Sequence, residues 1–324
     1  MTANAHIPVD VLIEDEFLRD GLQNEARLFT LEEKVEFAQA LARAGLRRIQ
    51  IGSFVHPGRV PQMADTDALA RRLERLEGVT WTALVLNATG LDRALAAGLP
   101  HLSISVSASE SHSRRNANRG VEEGVRRILP VIERARATGV RVRAGIQCAL
   151  GCAFEGYIPP DRVIAIARSF AALDVEEINI ADTAGLANPV QVESLCRALA
   201  EELGPKVALS LHLHDTRGLG IANLVAGLRA GVRIFDAALG GLGGCPFVPD
   251  ATGNIATEDA VFALEEMGWR TGIDWQALRP LVGRAESLLG RGLPGRIAHV
   301  PVPPWARPGD VSEPDPGKGR EAAR

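Results

Sequence analysis

Residues 176–215 read EEINIADTAGLANPVQVESLCRALAEELGPKVALSLHLHD. The β-branched run Glu176–Asp182 reads as a strand, and Pro189–Leu203 as a helix whose proline sits in the first turn, where it is tolerated. Ala208–Asp215 reads as a second strand. Strand, helix, strand in this order is the unit of a parallel sheet joined by crossover helices.

The same alternation extends in both directions. Further strands are expected at Val9–Ile13, Arg47–Ser53, Thr80–Leu86, Leu102–Ala108, Arg141–Cys148 and Ile234–Gly241, making eight in all. Thr30–Ala44 carries a capping box, Thr30 with Glu33, and its apolar residues Leu31, Val35, Ala38 and Leu41 recur at helical spacing until Gly45 stops it. Leu91–Ala97, Arg119–Thr138, Pro160–Leu173 and Leu219–Ala230 are the other intervening helices. Eight units predict a closed (β/α)8 barrel. A doubly wound sheet is the alternative, but the first strand–helix turn lacks a glycine-rich dinucleotide fingerprint. Helices at Thr257–Met267 and Trp275–Leu289 form a C-terminal extension. Residues 1–302 therefore read as one barrel domain, and residues 303–324, rich in Pro, Gly and charge, as a disordered tail.

Composition excludes several classes. The chain has 324 residues, 46% apolar and 23% charged, with a net charge of -4. It has no basic stripe for nucleic acid and no apolar run of membrane-spanning length. The opening residues are neither a secretory nor a mitochondrial targeting signal, so a cytoplasmic location is expected. The four cysteines, Cys148, Cys152, Cys196 and Cys245, are not spaced as a zinc ribbon and read as reduced thiols.

In a barrel the chemistry gathers where strands end at their C-termini. The first strand leads to Arg19-Asp20-Gly21, the sixth ends on Asp182-Thr183, and the seventh carries His212-Leu213-His214-Asp215. The eighth leads to Gly240-Gly241-Leu242-Gly243-Gly244-Cys245, then Thr252-Gly253-Asn254. Residues i and i+2 of a strand share a face, so His212 and His214 can both point into the mouth. With Asp20 and the amide oxygen of Asn254 they make a mixed nitrogen and oxygen set that suits Mg²⁺ or Mn²⁺ better than structural zinc. Asp215 reads as a residue fixing a histidine tautomer. Arg19 reads either as a surface ion pair or as a fixed cation for a developing enolate oxygen. Cys245 reads either as a small buried residue or as a thiol on a mobile flap that transfers a proton.

Taken together, Phe17-Leu18-Arg19-Asp20-Gly21-Leu22-Gln23-Asn24-Glu25, Ser53-Phe54-Val55, Val60-Pro61-Gln62-Met63, His212-Leu213-His214-Asp215-Thr216, Gly241-Leu242-Gly243-Gly244-Cys245-Pro246-Phe247 and Ala251-Thr252-Gly253-Asn254-Ile255 resemble the 3-hydroxy-3-methylglutaryl-CoA lyase family, over about Val9 to Ala298. The resemblance implies a metal-dependent carbon–carbon lyase acting on an acyl-CoA, with a Mg²⁺ or Mn²⁺ cofactor. It implies Asp20, His212, His214 and Asn254 as metal ligands, Arg19 as the enolate cation and Cys245 as the proton donor. His212 or Asp20 would be the base. Gln23, Gln50, Ser53, Thr183 and Arg217 are the expected substrate-binding residues. Barrels of this kind often pair through outer helices, so a homodimer is the expected assembly.

Two positions depart from the family pattern. Gln50 stands where the family has a glutamate, and a glutamine can hydrogen-bond but carries no charge. Arg217 stands where the family often has an aromatic residue. They point to a related lyase or aldolase for another 3-hydroxyacyl-CoA as the second reading. A non-catalytic metal-binding barrel is the third, although no ligand residue has been lost.

Overall fold

The computed structural model describes residues 9–244 and 253–306. Eight parallel strands close into a barrel in sequence order: β1 (Leu12–Asp15), β2 (Arg48–Ser53), β3 (Thr80–Val85), β4 (His101–Ser107), β5 (Arg141–Gln147), β6 (Glu177–Asp182), β7 (Ala208–Leu213) and β8 (Ile234–Ala237). β8 pairs with β1, Glu14 opposite Asp236, which completes the ring. Outside it run α1 (Leu31–Arg43), α2 (Thr66–Arg72), α3 (Ala88–Ala96), α4 (Glu110–Ala117), α5 (Val121–Ala137), α6 (Pro160–Ala171), α7 (Pro189–Leu203) and α8 (Gly220–Arg229). The extension is α9 (Thr257–Glu266) and α10 (Trp275–Leu289), the latter tied to the end of α1 by Asp274 N–H donating to Ala44 O at 2.8 Å. The barrel and extension are thus those expected.

The capping box holds: Thr30 Oγ1 accepts from Glu33 N–H at 3.2 Å, and Glu33 accepts in return from Thr30 N–H at 2.8 Å. Asn188 and Gln191 form a second such box ahead of Pro189 at the start of α7. Several strand limits differ from those expected. β1 begins at Leu12 and runs through Glu14 and Asp15, both fully buried. Periodicity places its end at the last apolar residue because the cations that balance these acids come from distant strands. β8 ends at Ala237, where the chain turns through Leu239–Gly241 with Gly240 at φ 68°. α2 and α4 were not expected. α4, Glu-Ser-His-Ser-Arg-Arg-Asn-Ala, buries only His112 and Ser113 and so has no apolar stripe to reveal it. Of the tail expected from Pro303, only the residues to 306 are described. There Pro304–Ala306 make one short turn and Trp305 Nε1 donates to Glu266 at 3.3 Å.

Both faces of the strands are buried, but they differ in kind. Apolar residues such as Ile178, Ile180, Leu211 and Phe235 join the core beneath the helices. The alternate residues face the barrel axis and are polar: Glu14 and Glu16, Arg48 and Gln50, Ser103 and Ser105, Arg143, Glu177 and Asn179, Ser210 and His212, Asp236. Arg48 on β2 reaches across the axis to Glu177 on β6 with two hydrogen bonds of 2.7 and 3.0 Å. Most barrels fill this space with branched apolar side chains; here it holds charge.

Candidate active site

The mouth is built from two strand ends and one loop. After β1 the chain makes a single wide turn, with Gly21 N–H donating to Glu16 O at 3.0 Å and Leu22 N–H to Phe17 O at 2.9 Å, five residues back in each case. Phe17 and Leu18 enter the core, where Phe17 packs on Phe37 at 4.8 Å between ring centroids. Arg19 and Asp20 are left at the cavity. On β7, His212 and its i+2 neighbour His214 face the same way, their Nε2 atoms 3.0 Å apart. Asp20 Oδ2 lies 3.4 Å from His214 Nε2 and 3.9 Å from His212 Nε2. Asn254 is laid beside His214 by a short antiparallel bridge, in which Asp215 N–H donates to Gly253 O and Ile255 N–H to Leu213 O. Glycine is required for this approach: a Cβ on Gly253 would come within 2.4 Å of the Gly243 carbonyl carbon, and one on Gly243 within 2.6 Å of Asn254 Nδ2.

These residues fit a divalent cation. Asn254 Nδ2 donates to Asp20 Oδ2 and to Leu242 O, while its Oδ1 is buried with no hydrogen-bond partner among the described residues. A buried acceptor left unpaired is costly, and a cation would satisfy it. Two ring nitrogens facing each other at 3.0 Å match the edge of a small octahedron, about 3 Å for a hard cation with short oxygen and nitrogen bonds. The other nitrogen of His212 is held: Nδ1 lies 3.3 Å from Asp236 Oδ2 and 3.5 Å from Glu16 Oε2. Asp215, expected to fix a tautomer, does not. Its Oδ1 caps Gly220 N–H at 2.7 Å, and Asp236 holds the histidine instead. Burial alone would raise the Asp20 carboxyl and lower the His212 imidazole. Arg19 and the two histidines hold Asp20 ionised, while Glu16, Asp236 and Asp20 raise His212.

Behind Asp20, His212 and His214 lies a connected ion-pair network. Arg19 binds Glu16 through Nη2 and Asp20 Oδ1 through Nη1, the latter at 2.5 Å. Arg143 reaches Glu14, Glu16 and Asp236 at 3.0, 2.9 and 2.6 Å, and Arg48 joins Glu14 to Glu177. Five carboxylates (Glu14, Glu16, Asp20, Glu177, Asp236) face three guanidiniums (Arg19, Arg48, Arg143). Burial raises Glu16, and its arginine neighbours oppose the rise.

The HMGL-like family model matches residues 10–282. The chain is 42% identical over 272 residues to the hydroxymethylglutaryl-CoA lyase of Pseudomonas mevalonii, covering 84% of this chain and 90% of that one. It is 43% identical over 305 residues to the (R)-citramalyl-CoA lyase of Chloroflexus aurantiacus, covering 91% and 96%. A solved structure of an HMG-CoA lyase from Acinetobacter baumannii, in complex with coenzyme A and 3-methylmalate, superposes with a TM-score of 0.85 at 34% identity, covering 94% of this chain and all of that one. The chain belongs to the HMGL-like family. It is a carbon–carbon lyase on a TIM barrel.

The expected site residues of this lyase fall into three groups. Arg19, Asp20, Gln23, Ser53, Thr183, His212 and His214 line one cavity of about 240 Å³. Within it Gln23 Nε2 donates to Asp20 Oδ1 at 2.6 Å, steadying that carboxylate, and Thr183 Oγ1 accepts from Cys148 N–H at 2.9 Å. Asn254, Gln50 and Arg217 are not among the lining residues, Asn254 sitting buried against Asp20 and Leu242 instead. Gln50 lies fully buried behind Arg19, and Arg217 is exposed with its guanidinium on the carbonyls of Ala184 and Gly185. Cys245 lies outside the described residues; Gly244, just before it, lines the cavity. Sequence reasoning missed Glu16, Arg143 and Asp236, together with Ser103, Ser105 and Gln147 on the wall. The period-two polar residues in Leu102–Ser107 and Glu177–Asp182 were the available signal, since strands covered by helices outside can place polar residues only toward the axis.

Proposed function

We propose that the chain cleaves 3-hydroxy-3-methylglutaryl-CoA to acetoacetate and acetyl-CoA with Mg²⁺ or Mn²⁺, as a cytoplasmic enzyme. The observation that carries this is the meeting of Arg19 with the Asp20, His212 and His214 group at one cavity. Asp20, His212, His214 and Asn254 would hold the cation, which when bound supplies Lewis acidity to the substrate hydroxyl and carboxylate. Asp20 takes the hydroxyl proton, since His212, with one ring nitrogen on the cation and Nδ1 held by Asp236, has none left to accept it. As C2–C3 breaks, the hydroxyl carbon becomes a carbonyl and the bonding pair passes to the thioester as an enolate. Arg19 faces that oxygen, where charge develops. Cys245 then delivers a proton to C2, giving acetyl-CoA. Ser53, Thr183 and Gln23 orient the acid.

A second reading keeps this chemistry on citramalyl-CoA, giving pyruvate and acetyl-CoA. It is favoured by the 43% identity to a lyase of that name. The two substrates differ by one methylene between the carbinol carbon and the carboxylate, a difference worth only about 1–3 kcal/mol to a pocket. The coenzyme A in the Acinetobacter structure supports an acyl-CoA in either case. Purified protein with Mg²⁺ or Mn²⁺ and a thiol reductant is offered each thioester, and acetyl-CoA is followed with acetoacetate or pyruvate. Acetoacetate release at the higher kcat/KM supports the first reading, and pyruvate the second. Failure on both removes the assignment.

A further inference from the structure

We infer that Glu16 is the positioning carboxylate of Arg19 in this enzyme, and that Gln50 is its matched partner. This rests on the lyase reading above. Glu16 follows the last residue of β1 and is fully buried, yet its carboxylate lines the cavity. Its Oε2 touches Arg19 Nη2 and lies 3.5 Å from His212 Nδ1, so one oxygen links the enolate-side cation to a metal-side histidine. Its Oε1 accepts from Arg143 Nη2 and from Gln50 Nε2, both at 2.9 Å.

The Gln50 side chain is fixed at both ends. Its Oε1 accepts from Arg19 Nε at 2.5 Å, and its amide nitrogen is shared between Glu16 Oε1 at 2.9 Å and Glu14 Oε1 at 3.0 Å. Only a side chain that accepts at one end and donates twice at the other satisfies all three groups. A glutamate here would still accept from Arg19. It would also press a third buried carboxylate against two others, with no proton or cation between them, a repulsion the interior does not screen. Gln50 therefore does not mark a lost carboxylate. The charge that faces Arg19 comes from Glu16, just after β1, instead of from β2, and the amide joins Arg143 in bridging Glu16 and Glu14. Arg19 is thereby gripped on three sides, by Glu16, Gln50 and Asp20, and its guanidinium has one orientation toward the cavity.

The test is a swap. E16Q, Q50E and the double variant E16Q/Q50E are compared with wild type in kcat and KM for the cleaved thioester, in Mn²⁺ affinity by titration, and in Tm. Each single variant should lose about a hundredfold or more in kcat, the scale of a misplaced oxyanion donor, with KM changed far less. The double variant, which returns one carboxylate and one amide to the same space, should recover to within about tenfold of wild type and have a Tm above that of either single variant. E16Q with wild-type kcat would overturn the role. So would a double variant no better than the worse single one, because independent defects add. A wild-type chain that cleaves neither thioester removes the functional reading alone, and the Tm and Mn²⁺ comparisons still decide whether the two residues are paired.

Discussion

Asp236 on β8 holds His212 on β7 by its far nitrogen, with Oδ2 3.3 Å from Nδ1, while the near nitrogen faces His214. The contact fixes which ring nitrogen is free for a cation. Such partners of a ligating histidine are worth about 10–100-fold in metal affinity. Asp236→Asn keeps the shape but removes the charge, and should weaken Mn²⁺ binding by about that factor. Titration calorimetry with the metal-stripped protein reads this directly, and an unchanged Kd would show that Glu16 alone suffices to orient the ring.

Gly253 and Gly243 let the Asn254 loop lie against the end of β7. With a Cβ 2.4 Å from the Gly243 carbonyl carbon, Gly253→Ala must push one segment away, and Asn254 moves with it. The expected outcome is loss of metal affinity and of turnover, with some fall in Tm as well, because the neighbouring Leu242 and Ile255 are core residues. Asn254→Ala should behave similarly by removing the unpaired Oδ1. Equal Mn²⁺ affinity in both variants and wild type would exclude Asn254 as a ligand.

How far the sequence could be read follows from where each piece of information lies. The helices announced themselves locally: Thr30 with Glu33 at the start of α1, and Pro189 with its apolar stripe in α7, need no knowledge of distant residues. The meeting of His212, His214 and Asp20 was legible because the histidines are two apart on one strand and Asp20 follows the end of another. Glu14, Glu16, Arg143 and Asp236 were not. Each looks like an ordinary surface charge until the barrel closes and brings β1, β5 and β8 together on the axis. Gln50 illustrates the difference most sharply. Its departure from the family pattern was visible at once, but its meaning lay 34 residues away, at Glu16.

Arg143 is the axis of that network, 2% exposed and paired with three carboxylates. Arg143→Met keeps a similar length but takes one of two cations from Glu14 and from Glu16, and removes the guanidinium from Asp236. Breaking a buried pair from one side costs about 3–5 kcal/mol. The variant should show a loss of that size in urea unfolding, and partial relief in the Arg143→Met/Glu16→Gln double variant. A single variant as stable as wild type would mean the network is hydrated and weakly coupled.

Glu258 gives the protein a stability that depends on pH. It lies at the start of α9, fully buried, where its Oε2 accepts from Gly240 N–H at 3.0 Å in the turn after β8. Burial, with Asp259 and Asp15 adding repulsion, pushes its carboxyl up to about 8 against the Gly240 bond. The unfolded chain releases this proton at an ordinary carboxylate pKa near 4.3. Between those values the folded state holds a proton that the unfolded state has lost, so the folded state binds more protons and stability falls as pH rises. The contribution is complete below about pH 4.3 and has been lost once the pH passes about 8. Glu258→Gln is neutral at every pH. Its Tm should fall less than that of wild type between pH 6 and about 9, with the two curves diverging as pH rises. Parallel Tm curves over this range would show that Glu258 is ionised in the folded protein, and that its charge is met at the base of the glycine-rich turn.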